Sequence, residues 1–386
     1  MSIQVKDEMY VAHTYGRFPI TLVKGQGCKL YDDEGKEYID LTSGIGVNSL
    51  GHQHPKWVAA IQEQLGQLAH VSNLYYTKPC AELAEALCNC SSFKKVLFQN
   101  SGAEANEAAI KAARKYSYDH YGLTRNEIIT LENSFHGRTI TTLSATGQDH
   151  FHEFFHPFTG GFKYAKANDF NDLLSKISPK TCAVMIEMIQ GEGGVLPLDY
   201  DYVQKLARLC RESDILLIVD EVQTGMGRCG TMFAFEQYDI QPDIVTLAKG
   251  LGGGLPIGAV LFNHRSQNVL QPGNHGSTFG GNPIACAGAN AVVKELNDEF
   301  LQEVKEKGEY IKERISKMNH VKAVNGLGLM RGVVLEDLKV NDVIKACMEK
   351  GLLVLSAKDK LRLLPPLTIS MEELKQAMDI LEEVLA

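Results

Sequence analysis

No apolar run in this chain approaches the about 18 residues that a membrane helix needs. The opening stretch, Met1-Ser2-Ile3-Gln4-Val5-Lys6-Asp7-Glu8, carries acids where a secretory signal needs a basic and then an apolar segment. A soluble, cytoplasmic protein is therefore expected. Lys and Arg form no dense block and the formal charge is −8, so nothing attracts phosphate backbones or anionic lipid, and neither nucleic acid nor membrane is an expected partner. The nine cysteines form an odd set without a C-x-x-C pair, and several lie in apolar runs such as Thr181-Cys182-Ala183-Val184-Met185-Ile186. They read as reduced, buried thiols. Repeats and low-complexity linkers are absent too. Gly326-Leu327-Gly328 fails the dinucleotide fingerprint because Arg331 stands where its last glycine belongs, so a nicotinamide cofactor is not expected.

What is present has ordinary globular composition, in a chain of 386 residues that is long for one core. The reading divides it into an N-terminal segment with a hairpin around Asp33-Glu34-Gly35 (1–50), a large domain (51–285) and a small C-terminal domain (286–386). Pro55 and Pro79 stand at helix starts. Short apolar runs follow at Val96–Phe98, Ile128–Leu131, Ala183–Ile186, Ile215–Val219, Ile244–Leu247 and Ile257–Phe262, separated by longer stretches, several of helical period. This is the α/β signature of a mostly parallel sheet buried on both faces. After Asn282-Pro283 a long helical stretch leads into an α+β tail. Its last helix opens with a capping box, Ser370 with Glu373.

Three features carry chemistry. Ile215-Leu216-Leu217-Ile218-Val219-Asp220 delivers a carboxylate at the carboxyl end of a buried strand, where open α/β sheets place ligands. Ile244-Val245-Thr246-Leu247-Ala248 likewise delivers Lys249, followed by a glycine-rich backbone that something large could approach. Ser101-Gly102-Ala103-Glu104 reads as a capping box opening a helix after a strand, a ready seat for an anion. Each has a bland reading: a solvated strand-end acid, a solubilising lysine, an ordinary capped helix. Together they supply a phosphate seat, a carboxylate and an amine able to form a Schiff base, the set that pyridoxal 5′-phosphate requires.

The chain also resembles, over essentially its whole length, the class III aminotransferases of the pyridoxal-phosphate fold type I. The resemblance rests on Ser101–Asn106, Ser134-Phe135-His136-Gly137-Arg138-Thr139, Glu187–Gly191, Asp220-Glu221-Val222-Gln223-Thr224-Gly225, Ala248-Lys249-Gly250 and His275–Pro283. It implies a seven-stranded sheet and a homodimer with shared sites. It implies cofactor contacts from Ser101, Gly102, Ala103, Phe135, Asp220, Val222, Gln223 and Thr278, the last reaching the partner's phosphate, with the cofactor as a Schiff base on Lys249. Asp220 would keep the ring nitrogen protonated, and Lys249 would act as the base.

Thr14–Pro19 and Gly44–His52 resemble the branch of that family that takes N-acetylornithine and 2-oxoglutarate, in arginine biosynthesis. The resemblance places Arg138, Glu187, Ser277, Arg362, Tyr15 and Ile45 around the substrate. Arg138 would bind the distal carboxylate of either substrate and Arg362 the α-carboxylate of glutamate, with Glu187 shielding Arg362 in the other half-reaction. Ile45 stands where related ornithine enzymes carry tyrosine, and Met188 where the family usually has proline. Ornithine, succinylornithine and 4-aminobutyrate are the rival donors. From another class, His152-Glu153-Phe154-Phe155-His156 fits the zinc-hydrolase pattern. That chemistry needs both histidines on one helix face and a third ligand, and Gly147 and Pro157 leave room for about two turns, so no metal is expected.

Overall fold

The computed structural model covers residues 1–386. Seven strands form the main sheet in the order Lys95–Gln99, Gly258–Phe262, Ile244–Leu247, Leu216–Asp220, Thr181–Ile186, Glu127–Leu131 and Phe162–Ala165. Neighbours from Ile244–Leu247 outward to Phe162–Ala165 pair in parallel, and only Gly258–Phe262 runs against both of its neighbours. The fold is α/β, as expected. The four strands from Thr181 to Phe262 are buried at every residue, which explains why they read as continuous Val/Ile/Leu runs rather than alternations.

Alternation along one of these strands aims the chemistry. Leu217 and Val219 join the larger core, while Leu216 and Ile218 face the other way, into a core built with Ala105, Ala108, Ala109, Ala112 and Ala113 of helix Gly102–Tyr121. Small residues along that helix let it lie close to the sheet. Two residues beyond Ile218, Asp220 points to the same side and meets Asn106 near the helix start. Each buried Leu or Ile contributes about 1.5–3 kcal/mol, so hydrophobic packing aims Asp220 inward despite the cost of burying its charge.

Phe162–Ala165 is the strand that the apolar-run reading passes over. It is a half-buried edge strand just beyond the stretch that holds the zinc-like pattern. In that segment the zinc-like pattern finds no helix. A three-residue 3₁₀ turn, Asp149–Phe151, stops before His152, whose Nε2 is hydrogen-bonded to the Leu143 carbonyl at 2.8 Å. No three His, Cys, Asp or Glu side chains gather anywhere as a metal site.

The N-terminal segment adds Leu22–Gln26 to the expected pair Lys29–Asp32 and Glu37–Asp40, and Leu352–Leu353 from the tail completes that sheet beside Glu37–Asp40. A separate sheet, antiparallel throughout, holds Val321–Leu327, Met330–Leu335, Lys360–Leu363 and Leu355–Ala357. The long helix expected after Asn282-Pro283 is two helices, Pro283–Glu295 and Asp298–Ile315. Asn297 accepts from the Phe300 N–H, and Asp298 and Glu299 favour a new N-terminus there. The Ser370–Glu373 capping box forms. No helix is long and apolar enough to cross a membrane, and all nine cysteines are free.

One turn is strained. Ser43, Gly44, Ile45 and Gly46 all have left-handed backbones, with φ of 42°, 63°, 65° and 75°. The left-handed conformation costs about 1–2 kcal/mol for each residue with a Cβ, yet Ile45 is 42% exposed and recovers little by packing. Asp40 holds the turn, its Oδ1 accepting from the Thr42 N–H, the Thr42 hydroxyl and the Ser43 N–H.

Candidate active site

A cavity of about 420 Å³ opens at the carboxyl ends of the central strands. It gathers Ser101, Gly102, Ala103, Phe135, Arg138, Glu187, Asp220, Val222, Gln223 and Lys249, together with Val47, Asn106, His136, Glu192 and Gly254. The strand ending at Gln99 hands over to helix Gly102–Tyr121, whose N-cap Ser101 accepts from the Glu104 N–H at 3.2 Å. The box is not reciprocal as expected: Glu104 Oε2 accepts from Asn100, one residue before the cap, at 2.6 Å. Gly102 has no room for a side chain, because a Cβ there would come within 2.7 Å of Val222. Bare backbone N–H groups at a helix start therefore face the cavity, an arrangement that suits a phosphate.

Asp220 is fully engaged. Its Oδ2 accepts from Asn106 Nδ2 and lies against His136 Nδ1, both at 2.8 Å, and its Oδ1 accepts from the Val222 N–H. Burial drives the His136 pKa down, but the hydrogen bond and charge of Asp220, helped by Glu187, overcome it and leave the imidazole pKa raised. The other ring nitrogen, Nε2, is buried without a partner. Asn106 is held in turn by the Thr246 hydroxyl at 2.7 Å.

Lys249 is the only lysine lining the cavity, and it begins the turn after its strand with a left-handed φ of 40°. Burial lowers its pKa, against the opposing charge of Glu192, so the amine is more readily neutral than an ordinary lysine. A neutral amine is what a nucleophile or a base requires.

Glu187 does not shield Arg362, contrary to expectation. Its carboxylate accepts from the Phe135 N–H at 2.8 Å and the Gly191 N–H at 3.1 Å, which ties it to the loop beneath Phe135. Burial pushes its pKa up to about 7. Glu192, in the turn after the short strand Ile189–Gln190, pairs with Arg362 instead, Nη1 to Oε1 at 2.5 Å. Burial raises the Glu192 pKa, but the Arg362 charge beside it wins and holds the carboxyl below its usual range. Gln223 joins this pair, and a Cβ on Gly191 would come within 2.3 Å of the Gln223 amide. Arg362 is buried and its Nε has no acceptor. The sequence signal for Glu192 was an acid set among the glycines of Gly191-Glu192-Gly193-Gly194.

Arg138 sits exposed at the rim, its guanidinium 4.1 Å from the Phe151 ring centre and 5.5 Å from that of Phe135. Five expected residues do not line this cavity, and one of them, Arg362, reaches it only through Glu192. Tyr15 lies exposed in the N-terminal segment and Ile45 on the strained turn. Ser277 bonds through its hydroxyl to Asn100, and Thr278 faces outward. Met188 is buried, and its carbonyl accepts from the Leu198 N–H.

The residues present fit pyridoxal phosphate: a helix start that excludes a side chain, an aromatic ring, a buried carboxylate and a lysine of lowered pKa. Comparisons with known proteins agree. The class-III aminotransferase family model matches residues 10–385. An acetylornithine aminotransferase of Haemophilus ducreyi is 53% identical, the alignment covering 100% of this chain and 99% of the relative. Another, of Methanocaldococcus jannaschii, is 48% identical over 98% of this chain and 96% of its own. Among solved structures, the ornithine aminotransferase of Toxoplasma gondii superposes with a TM-score of 0.95 at 33% identity, covering 99% of this chain and 94% of that one. The N-acetylornithine aminotransferase of Stenotrophomonas maltophilia superposes at 0.86 and 36%, covering 98% and 97%. Fold, cavity and relatives converge: the chain belongs to the class III aminotransferases, enzymes that depend on pyridoxal phosphate.

Proposed function

We propose that this enzyme moves the terminal amino group of N2-acetyl-L-ornithine to 2-oxoglutarate, giving N-acetyl-L-glutamate 5-semialdehyde and L-glutamate in two half-reactions at one cavity. The observation that carries the reading is the ion pair that Arg362 forms with Glu192, a carboxylate lining the cavity that holds Lys249. The choice of donor leans on the relatives' names. The bound cofactor supplies an electron sink for the carbon that loses its proton. Lys249 is its covalent anchor and, once freed, the base that carries that proton. Asp220 would hold the proton on the ring nitrogen, Phe135 would cover the ring face and Gln223 would bond the 3′ oxygen. The N–H groups at Ser101, Gly102 and Ala103 would hold the phosphate. In this reading residues 51–285 carry the cofactor, and residues 1–50 with 286–386 bring up Arg362.

Arg138 at the rim binds the carboxylate far from the reacting carbon in both substrates. Arg362 binds the α-carboxylate of glutamate, for which Glu192 must swing aside. With N-acetylornithine bound, Glu192 stays and neutralises Arg362, which would otherwise face an apolar chain at a high cost in free energy. Purified enzyme should prefer N-acetylornithine to ornithine by at least about tenfold in kcat/KM, because Ile45, exposed on the turn that leads to the cavity-lining Val47, would offer a free α-amino group nothing to bond. Equal or better use of ornithine overturns this choice of donor. Glu192→Ala should shift preference toward glutamate and away from N-acetylornithine by about tenfold. An unchanged ratio of the two single-turnover rates would refute the shielding role of Glu192.

The active form is a homodimer in this proposal. Leu74, Tyr75 and Tyr76 stand in the open at 85%, 70% and 106% exposure, and Phe279, at 61%, is beside Thr278. Asn73 ties the two loops together through the Ser277 and Gly280 carbonyls. A second copy would cover these side chains, and Thr278 would reach the phosphate of the partner's site. Mixing Lys249→Ala with Thr278→Ala protein and following activity in verified hybrid dimers tests this. Activity per intact Lys249 site should depend on which subunit carries the threonine.

A further inference from the structure

A buried guanidinium outside the cavity faces no carboxylate within ion-pair distance. Arg228, 2% exposed, lies on the loop that leaves Asp220. It donates through Nη1 to the carbonyls of Pro365 at 2.5 Å and Leu329 at 3.1 Å, and through Nη2 to the Ser43 hydroxyl at 3.5 Å. Burial pulls its pKa down to about 10. A charge kept in such surroundings is costly unless its geometry serves something.

What it joins is specific. Pro365 stands two residues beyond the end of Lys360–Leu363, the strand that carries Arg362. Ser43 begins the left-handed turn, and its hydroxyl also donates to the Leu364 carbonyl at 2.6 Å, while the Leu364 N–H donates to Leu41 at 2.7 Å. At its far end the same segment bonds to the turn of Lys249, Ser49 Oγ to the Gly250 carbonyl at 2.9 Å. Residues 41–49 thus form a strap between the strand end of Arg362 and the turn of Lys249, and Val47 from that strap lines the cavity. A strained backbone persists only when its surroundings over-determine it, and Arg228 with Asp40 supplies that constraint.

We infer that Arg228 is a positioning residue that clamps the strap to the Arg362 strand and so sets how far the carboxylate-binding guanidinium stands from the Lys249 amine. The inference rests on the proposed role of Arg362. It concerns glutamate and 2-oxoglutarate, the substrates that engage Arg362, and spares N-acetylornithine, which does not.

The test uses holoenzyme of Arg228→Met, Arg228→Lys and Ser43→Ala, with each half-reaction followed by single-turnover absorbance. Arg228→Met should raise the half-saturating concentration of glutamate by about tenfold to a hundredfold, since a misplacement of about 1 Å has effects of that size. The N-acetylornithine half-reaction should change by less than about threefold. Arg228→Lys should recover part of the loss, and Ser43→Ala should move glutamate alone, which keeps the test open if the methionine variant does not fold. In an Arg362→Ala background Arg228→Met should add nothing further, because the two act through one contact. A uniform loss with both substrates, or a flat glutamate response in folded variants beside a steep one in Arg362→Ala, overturns the inference alone. A flat response in Arg362→Ala itself defeats the role given to Arg362, and the inference with it.

Discussion

Lys249→Ala should lose turnover by more than about 10²–10⁴-fold, the range typical for removing a general base alone, because the covalent anchor goes as well. No other lysine lines the cavity to replace it. The variant should still fold: Lys249 lies at a strand end, and the strand before it is held on both sides by Leu216–Asp220 and Gly258–Phe262. Cofactor binding can be followed without turnover. The single tryptophan, Trp57, donates to the Gly252 carbonyl at 3.0 Å, in the glycine-rich turn that follows Lys249. Added pyridoxal phosphate should quench its fluorescence in wild type and variant alike. After dialysis the quenching should persist only where Lys249 is present. Retention of more than about a hundredth of the wild-type rate would end the assignment of Lys249.

Asp220→Asn should leave the fold intact and cost about 10²–10³-fold in rate, the scale of losing one preorganised electrostatic partner. The amide keeps the shape of the carboxylate but not its charge, and its Nδ2 cannot accept where the second carboxylate oxygen did, from Val222 or from Asn106. Without that charge the His136 imidazole loses the interaction that overcomes its burial, and its pKa should fall below the ordinary histidine value. Imidazole titration by NMR would read this directly in the apoprotein, independently of turnover. Near wild-type rates in the variant would reduce Asp220 to a strand-end acid.

Legibility differed from element to element for physical reasons. Leu216–Asp220 and Ile244–Leu247 were plain because strands buried on both faces must be apolar throughout, and the residue that follows such a run stands at the sheet's carboxyl edge. Phe162–Ala165 was not, since an edge strand needs neither a long apolar run nor a strict alternation. Glu187 and Glu192 flank the short strand Ile189–Gln190, and both are acids near Gly191. Which of them meets Arg362 depends on where two backbone N–H groups, from Phe135 and Gly191, capture the first carboxylate. No local pattern encodes that capture, because Phe135 comes from a different strand end.

The sequence by itself determined the alternation of strands and helices, the carboxylate at 220, the amine at 249 and the helix start at 102. Each follows from short-range periodicity, capping or the position of a residue after an apolar run. Only the tertiary structure decided the partners. His136 and Asn106 converge on Asp220, Glu192 rather than Glu187 neutralises Arg362, and Arg228 ties the strap of residues 41–49 to the strand of Arg362. These are contacts between residues tens to hundreds of positions apart. Their geometry is set by how the buried faces of the sheet, the alanine-rich helix and the C-terminal strands pack, and a single sequence carries no local record of that packing.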